Sequence, residues 1–277
     1  MQASEPSRTA MAAAAHRAAH QSVDGGAIFS DPYARRILGE EAAAEADLKA
    51  RDPATRSFRL VMAARSRYAE DCLARSLARG VAQAVILGAG LDTFALRNPH
   101  PGLKVFEVDH PATQGWKQTR LREEGLTHSL PIFVPVDFER EDLETRLIAS
   151  GFKPETPAFF IWLGVVPYLR EASVFALLSF VAGLPGASIV FDYGEPLENY
   201  PPERRARAAE MGARTAAAGE PWLTRFDPAE LAGRLRALGF TSLEDLGPTE
   251  MAKRFFGLPQ NAPDRGAGPH VICAGNF

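Results

Sequence analysis

The apolar run Ala84-Val85-Ile86-Leu87 stops on Gly88-Ala89-Gly90, and a strand that ends in Gly-x-Gly restricts the fold sharply. Glycine accepts the torsions of a tight turn and adds no side chain, so backbone amides come close to a ligand at the carboxyl edge of a parallel sheet. A parallel sheet also needs a crossover after each strand. The chain supplies that rhythm. A strand over 104–109 ends on a carboxylate, a helix follows over 111–124, and strands at 131–136, 158–162 and 188–193 are separated by helices at 142–151 and 171–184. An amphipathic helix over 228–238 stops at Gly239, and strands near 241–246 and 270–273 bring the total to seven. The expected fold is α/β, a seven-stranded, mostly parallel, doubly wound sheet with helices on both faces.

Around that sheet the sequence places helical additions. Residues 8–50 are Ala-rich with breaks at Asp24-Gly25-Gly26 and Asp31-Pro32, which predicts two or three helices forming a cap over 1–53. A long helical pattern over 54–79 leads to the first strand. Between 195 and 222 the chain turns polar and Ala/Arg-rich around Pro201-Pro202, the pattern of a helical insertion able to form a lid. All 277 residues are expected in one domain.

Composition narrows the function. With 46% hydrophobic and 23% charged residues the chain is expected to pack a core rather than stay disordered. A net charge of -3 and the lack of a long Lys/Arg run argue against nucleic acid as a partner. Cys72 and Cys273 lie far apart and form no CxxC, so neither a disulfide framework nor a zinc knuckle is expected. The most apolar run, 159–169, is too short to cross a bilayer, and no signal peptide is read at the amino terminus. The expected location is cytoplasmic.

The dinucleotide fingerprint requires a third glycine, but Gly90 is followed by Leu91-Asp92-Thr93, so pyrophosphate is disfavoured and a phosphate-free nucleoside fits better. Asp109 lies 19 residues beyond Gly90 at the end of the second strand, where a carboxylate can accept both hydroxyls of a ribose. The competing role for Asp109 is an incidental cap on the helix that starts at Pro111. His16 and His20 have a metal-like spacing on a helix, but no third ligand is apparent and no metal is expected.

Val85-Ile86-Leu87-Gly88-Ala89-Gly90-Leu91-Asp92-Thr93, Phe106-Glu107-Val108-Asp109-His110-Pro111 and Val134-Pro135-Val136-Asp137-Phe138 together resemble the leucine carboxyl methyltransferase family, in particular its bacterial branch of polyketide-tailoring O-methyltransferases. Ser7-Arg8-Thr9-Ala10, Asp31-Pro32-Tyr33-Ala34, Ala64-Arg65-Ser66-Arg67, Trp162-Leu163-Gly164-Val165 and Phe226-Asp227-Pro228 extend the likeness over nearly the whole chain. The resemblance implies a Rossmann-like class I methyltransferase that uses S-adenosylmethionine, releases S-adenosylhomocysteine and acts on a small-molecule carboxylate or polyketide-like phenol.

By that resemblance Gly88, Ala89 and Gly90 approach the amino-acid end of the cofactor, Asp109 holds the ribose with His110 beside it, and Asp137 and Phe138 flank the adenine. Arg65 would face the methionine carboxylate. Trp162 and Leu163 complete the contacts, although Leu163 stands where many relatives carry an acid. His110 and Tyr168 are the candidate base or orienting groups, and Tyr33, Tyr168, Tyr193, Tyr200 and Trp222 the candidate acceptor walls. Two other functions remain open: a nicotinamide-dependent oxidoreductase on a similar sheet, and a catalytically silent cofactor-binding protein.

Overall fold

The computed structural model describes residues 7–137, 141–217 and 219–276. Seven strands form one sheet in the order β3-β2-β1-β4-β5-β7-β6, so the expected strand count and mostly parallel character are both present. The chain divides into two compact units, the first made of residues up to Asp71 with Ala82–Pro154, the second of Cys72–Val81 with the chain from Glu155 onward.

The first unit opens with α1 (Arg8–Val23), α2 (Ala34–Leu38), α3 (Glu40–Ala50) and α4 (Pro53–Leu77), whose last turns belong to the second unit. It continues with β1 (Gln83–Leu87), α5 (Phe94–Arg97), β2 (Lys104–Asp109), α6 (Pro111–Glu123), β3 (Ile132–Pro135) and α7 (Leu143–Ala149). β1 pairs with β2, and β2 with β3, all parallel. Every residue of β1 is buried, as expected of a strand covered on both faces. Ala14, Ala18, Ile37, Leu38 and Ala43 of the amino-terminal helices form one apolar cluster with Leu91, Leu96 and Leu121. Alanine at these contacts lets the helices approach closely, and Leu91 brings the segment after the glycine turn into the same core.

The second unit contains β4 (Ala158–Trp162), α8 (Glu171–Gly183), β5 (Ser188–Gly194), α9 (Pro202–Ala217), α10 (Pro228–Leu238), β6 (Ser242–Leu246), α11 (Pro248–Phe255) and β7 (Pro269–Gly275). β4 and β5 are parallel, whereas β7 runs antiparallel to both β5 and β6. α10 is capped by the Asp227 carboxylate, which accepts from the amides of Ala229 and Glu230, and it ends at Gly239 with φ 109°. α11 is an element that the sequence reading did not anticipate. α9 fills the middle of the polar 195–222 segment and buries none of its residues. Among the described residues no helix is long and apolar enough to cross a membrane.

Candidate ligand site on the glycine turn

The turn after β1 is built as its composition requires. Gly88 and Gly90 have φ of 62° and 50°, values that side chains rarely tolerate. A Cβ on Gly90 would also meet the Cβ of Ala10 at 2.9 Å, because the start of α1 lies against the turn. Ala89, nearly buried, donates its amide to the Val108 carbonyl at 3.1 Å.

Asp109 closes the turn. Its Oδ2 accepts the Gly90 amide at 2.5 Å and its Oδ1 accepts the His110 amide at 2.6 Å. Burial is the largest influence on this carboxyl and pushes its pKa up, while the two amides and the charges of Lys117 and His110 pull it back. Two residues earlier, on the same side of β2, Glu107 is fully buried and pairs with Lys117 at 2.5 Å. Burial outweighs Lys117 and, with the nearby charges of Asp92 and Asp109, pushes Glu107 up to about 7. The carboxylate expected to cap the Pro111 helix does not do so. The cap is His110, whose Nδ1 accepts the Ala112 amide at 3.2 Å, so that nitrogen is not available to take a proton.

A second carboxylate, unremarked in the sequence, ties the amino-terminal helices to the turn. Asp31 is fully buried. Its Oδ2 accepts from Arg17 Nε at 3.3 Å and from Thr93 Oγ1 at 2.8 Å, and Arg97 Nε lies 3.5 Å from Oδ1. Arg17 also donates through Nη2 to the Leu91 carbonyl, and Arg97 forks onto Glu70 at 2.7 and 3.1 Å. Asp31 therefore fastens both Leu91 and Thr93, the residues just past Gly90, to α1 and the loop before α2.

Arg65 lies on α4, half-buried, close enough to His16 that its charge helps lower the imidazole. Burial is the larger cause, followed by Arg59 and then Arg65, and together they bring His16 to about 4, neutral at pH 7. His16 packs edge-on against Phe58 at 4.9 Å. His20 instead serves the backbone: its Nδ1 meets Asp24 at 3.0 Å and its Nε2 accepts the amides of Ile28 and Phe29. Among the described residues no group of three or more His, Cys, Asp or Glu could hold a metal. Asp137 is half-buried beyond β3 with its amide donating to Glu141, and the cap of α7 is Asp142 rather than Asp137. Phe138 lies outside the described residues.

The second unit repeats the device seen at Asp109. After β4, Gly164 (φ 71°) donates its amide at 2.5 Å to Asp192 Oδ1 on the neighbouring β5. A glycine beyond one strand with an aspartate near the end of the next is the signal that could have singled out Asp192. Trp162 is 1% exposed and packs against Phe191, so only its backbone is accessible to a ligand, and Leu163 beside it is half-buried.

Of the aromatic candidates, four are on this unit. Leu223 and Thr224 donate their amides to the Pro167 carbonyl at 2.7 and 3.3 Å, which brings Trp222 beside Tyr168. Phe226 donates to the Gly194 carbonyl and packs on Tyr193. Arg225 stacks on Trp222 and donates to the Glu195 carbonyl, and it hydrogen-bonds Tyr200. Tyr33, in the first unit, pairs through its hydroxyl with His128 Nε2 at 3.1 Å.

Tyr193 is committed elsewhere. Its hydroxyl donates to Asp245 Oδ2 at 2.5 Å and its ring stacks on His270 at 4.9 Å. Burial first, then Asp245, raise its pKa far above the usual phenol value. His270 bridges Asp245 (Nδ1, 3.1 Å) and Glu195 (Nε2, 3.0 Å). Burial works to lower this imidazole, but the two carboxylates outweigh it and the net shift is upward. The clamp contributes stability that is fully present below the ordinary histidine pKa of about 6.5 and is lost as pH rises through the raised value. Thermal melts should thus show the wild-type chain losing stability above neutrality relative to His270→Gln. Parallel pH profiles of the two would contradict the clamp.

Two surface cavities of about 330 and 420 Å³ open in the first unit, one against Asn98–Leu103 and the other between Gly39 and Trp116. Neither is lined by Gly88, Gly90 or Asp109. The chemistry gathers on the turn and not in these hollows.

Comparison with known proteins agrees with this geometry. Residues 10–182 match the family model described as leucine carboxyl methyltransferase. A putative S-adenosyl-L-methionine-dependent methyltransferase of Bacillus subtilis, YktD, is 39% identical over 198 residues, 70% of this chain and 65% of the relative. One from Mycolicibacterium smegmatis is 31% identical over 224 residues, 75% of this chain and 73% of the relative. For the Frankia alni and Streptomyces coelicolor relatives the match spans 43% and 47% of their length, so several curated relatives are matched over about half of themselves. Among solved structures, an O-methyltransferase family protein from Burkholderia thailandensis is 13% identical, with 96% of this chain and 71% of that one covered at a TM-score of 0.48.

Proposed function

The chain belongs to the leucine carboxyl methyltransferase family, and from that premise we propose that it moves the methyl group of S-adenosylmethionine onto an oxygen of a small molecule. The observation that carries the reading is the Asp109 carboxylate, half-buried at the end of β2 with one backbone amide on each oxygen. Each oxygen keeps a second lone pair, which matches the two vicinal hydroxyls of a ribose. The donor set fits a nucleoside without phosphates: the turn presents amides but no cation, and the nearby acids Asp92, Glu107 and Asp109 would repel a pyrophosphate.

When bound, S-adenosylmethionine supplies an electrophilic methyl carbon on a sulfonium. The chain's part is to hold two reactants in line, since positioning alone can supply several kcal/mol of a displacement barrier. Gly88 and Gly90 allow close approach by the absence of side chains, Asp109 fixes the sugar, and Arg65 offers a planar fork to the methionine carboxylate. Asp137 and Phe138 would flank the adenine, and the backbone at Trp162 and Leu163 would complete the contacts. Tyr168, Tyr200 and Trp222 would wall the acceptor, with the segment around α9 as a lid that excludes water.

A carboxylate acceptor asks least of these residues. It is already ionised near pH 7 and needs no base. The candidate bases are poorly suited: His110 Nδ1 is taken up by Ala112, the Tyr193 hydroxyl is held by Asp245, and His16 is too weak a base at about 4. Methyl-labelled S-adenosylmethionine, turned over with a panel of carboxylic acids and phenols, tests this directly. Label in a base-labile product that releases methanol is the expected result, because an ester hydrolyses and an aryl ether does not. Stable label on phenols would replace the carboxylate by the phenol, and tighter binding of NAD than of S-adenosylhomocysteine would overturn the reading altogether.

A further inference from the structure

Cys72 and Cys273 are the chain's two cysteines and are separated by most of its length, yet the second unit brings them together. Cys72 is buried near the end of α4, and Cys273 is half-buried on β7. Their thiols are hydrogen-bonded to each other. An independent set of contacts holds the pair in place. Arg75, one turn after Cys72, lies with Nη2 3.2 Å from the Cys72 sulfur and also pairs with Glu244 on β6. Glu244 is the direct antiparallel partner of Cys273, and Arg254 of α11 holds the same carboxylate at 3.0 Å. The end of a helix and a strand are clamped with their sulfurs facing.

We propose that Cys72 and Cys273 form a reversible intrachain disulfide, a thiol-modification site whose co-substrate is a low-molecular-weight disulfide such as glutathione disulfide. Cys273, the more accessible sulfur, attacks the small disulfide first, which expels one small thiolate and leaves a mixed disulfide. Cys72 then attacks the Cys273 sulfur, expels the second small thiolate and closes the protein bond. Two protein thiols are oxidised, one small disulfide is reduced to two thiols, and the two protein protons pass to the departing thiolates. The hydrogen bond from the neighbouring thiol and burial both raise the pKa of Cys273, so the first exchange is slow at neutral pH. Closure is fast by comparison, because its partner is already in contact and Arg75 places positive charge beside the attacking sulfur. The bond would fasten the end of the helix that carries Arg65 two turns earlier.

The full chain is equilibrated with graded ratios of glutathione disulfide to glutathione, quenched in acid, denatured and examined for free thiols and intact mass. The expected result is loss of both thiols together, with a mass lower by two hydrogens, no glutathione attached and full reversal by dithiothreitol. Cys72→Ser should stop at a glutathione adduct on Cys273, whereas Cys273→Ser should leave the buried Cys72 reduced. The oxidised wild-type chain should also melt several degrees above the reduced one, a difference that both serine variants lack. Wild-type chain that retains both thiols at the most oxidising ratio, or that carries glutathione without an intrachain bond, overturns the proposal.

Discussion

Replacing Asp109 by alanine is expected to lower the affinity for S-adenosylhomocysteine roughly ten- to a hundredfold, about 1.5–3 kcal/mol for the loss of hydrogen bonds to a charged acceptor. Two losses combine. The ribose hydroxyls lose their acceptors, and the amides of Gly90 and His110, bonded to the carboxylate at 2.5 and 2.6 Å, lose theirs. The turn that presents the ligand then relaxes as well. Asp109→Asn should fall between alanine and wild type, because its single carbonyl oxygen still accepts from one amide while its NH₂ faces the other. The sign of the pH dependence follows from burial, which raises this carboxyl despite the pull of the two amides. Only the ionised form accepts on all sides, so affinity should fall on acidification at a pH above the ordinary aspartate value of about 3.9. Calorimetric titration across that range should show the decline in wild type and a flat profile in Asp109→Asn. An alanine variant that binds as tightly as wild type would remove Asp109 from the site.

Features that depend on residues close in sequence were legible in the chain alone. β1 and β4 announce themselves as unbroken apolar runs, because both faces of a parallel strand are buried. Gly88, Gly90 and Asp109 were legible because the turn, the next strand and its terminal carboxylate follow within one crossover. α11 was not, being a short helix behind Gly247-Pro248 without a side-chain cap. Side-chain pairs made across long separations leave no period to read. Asp31 meets Thr93 62 positions away, His270 meets Glu195 75 positions away, and the two cysteines meet across most of the chain. The aromatic residues show the same limit from another side. Their number suggested a pocket wall, but Tyr193 spends its hydroxyl on Asp245 and Tyr33 pairs with His128, distinctions that composition does not carry.

Asp31→Ala should produce the largest loss of stability of any change near the turn, about 3–5 kcal/mol, the range seen when one partner of a buried ion pair is removed. Asp31 is fully buried and answers Arg17, Thr93 and Arg97 at once. Alanine leaves the Arg17 guanidinium, itself 11% exposed, without its carboxylate, and it removes the acceptor of the Thr93 hydroxyl. Arg97 suffers less because its fork onto Glu70 survives. The expected drop in melting temperature is roughly 10 °C. Thr93→Val, which deletes one hydrogen bond to the same carboxylate and keeps the shape, should cost about 1.5–3 kcal/mol. Stability alone would make Asp31 a structural residue and nothing more. Its connection to function runs through Arg17, which holds the Leu91 carbonyl, and through Thr93, so that loosening Asp31 loosens the backbone immediately after Gly90. The thermal shift caused by saturating S-adenosylhomocysteine should therefore shrink in Asp31→Asn, a variant that keeps an acceptor for Thr93 and is expected to remain folded. A ligand-induced shift equal to wild type in that variant would show that the turn holds its shape without the tether, and would confine Asp31 to the packing of the amino-terminal helices.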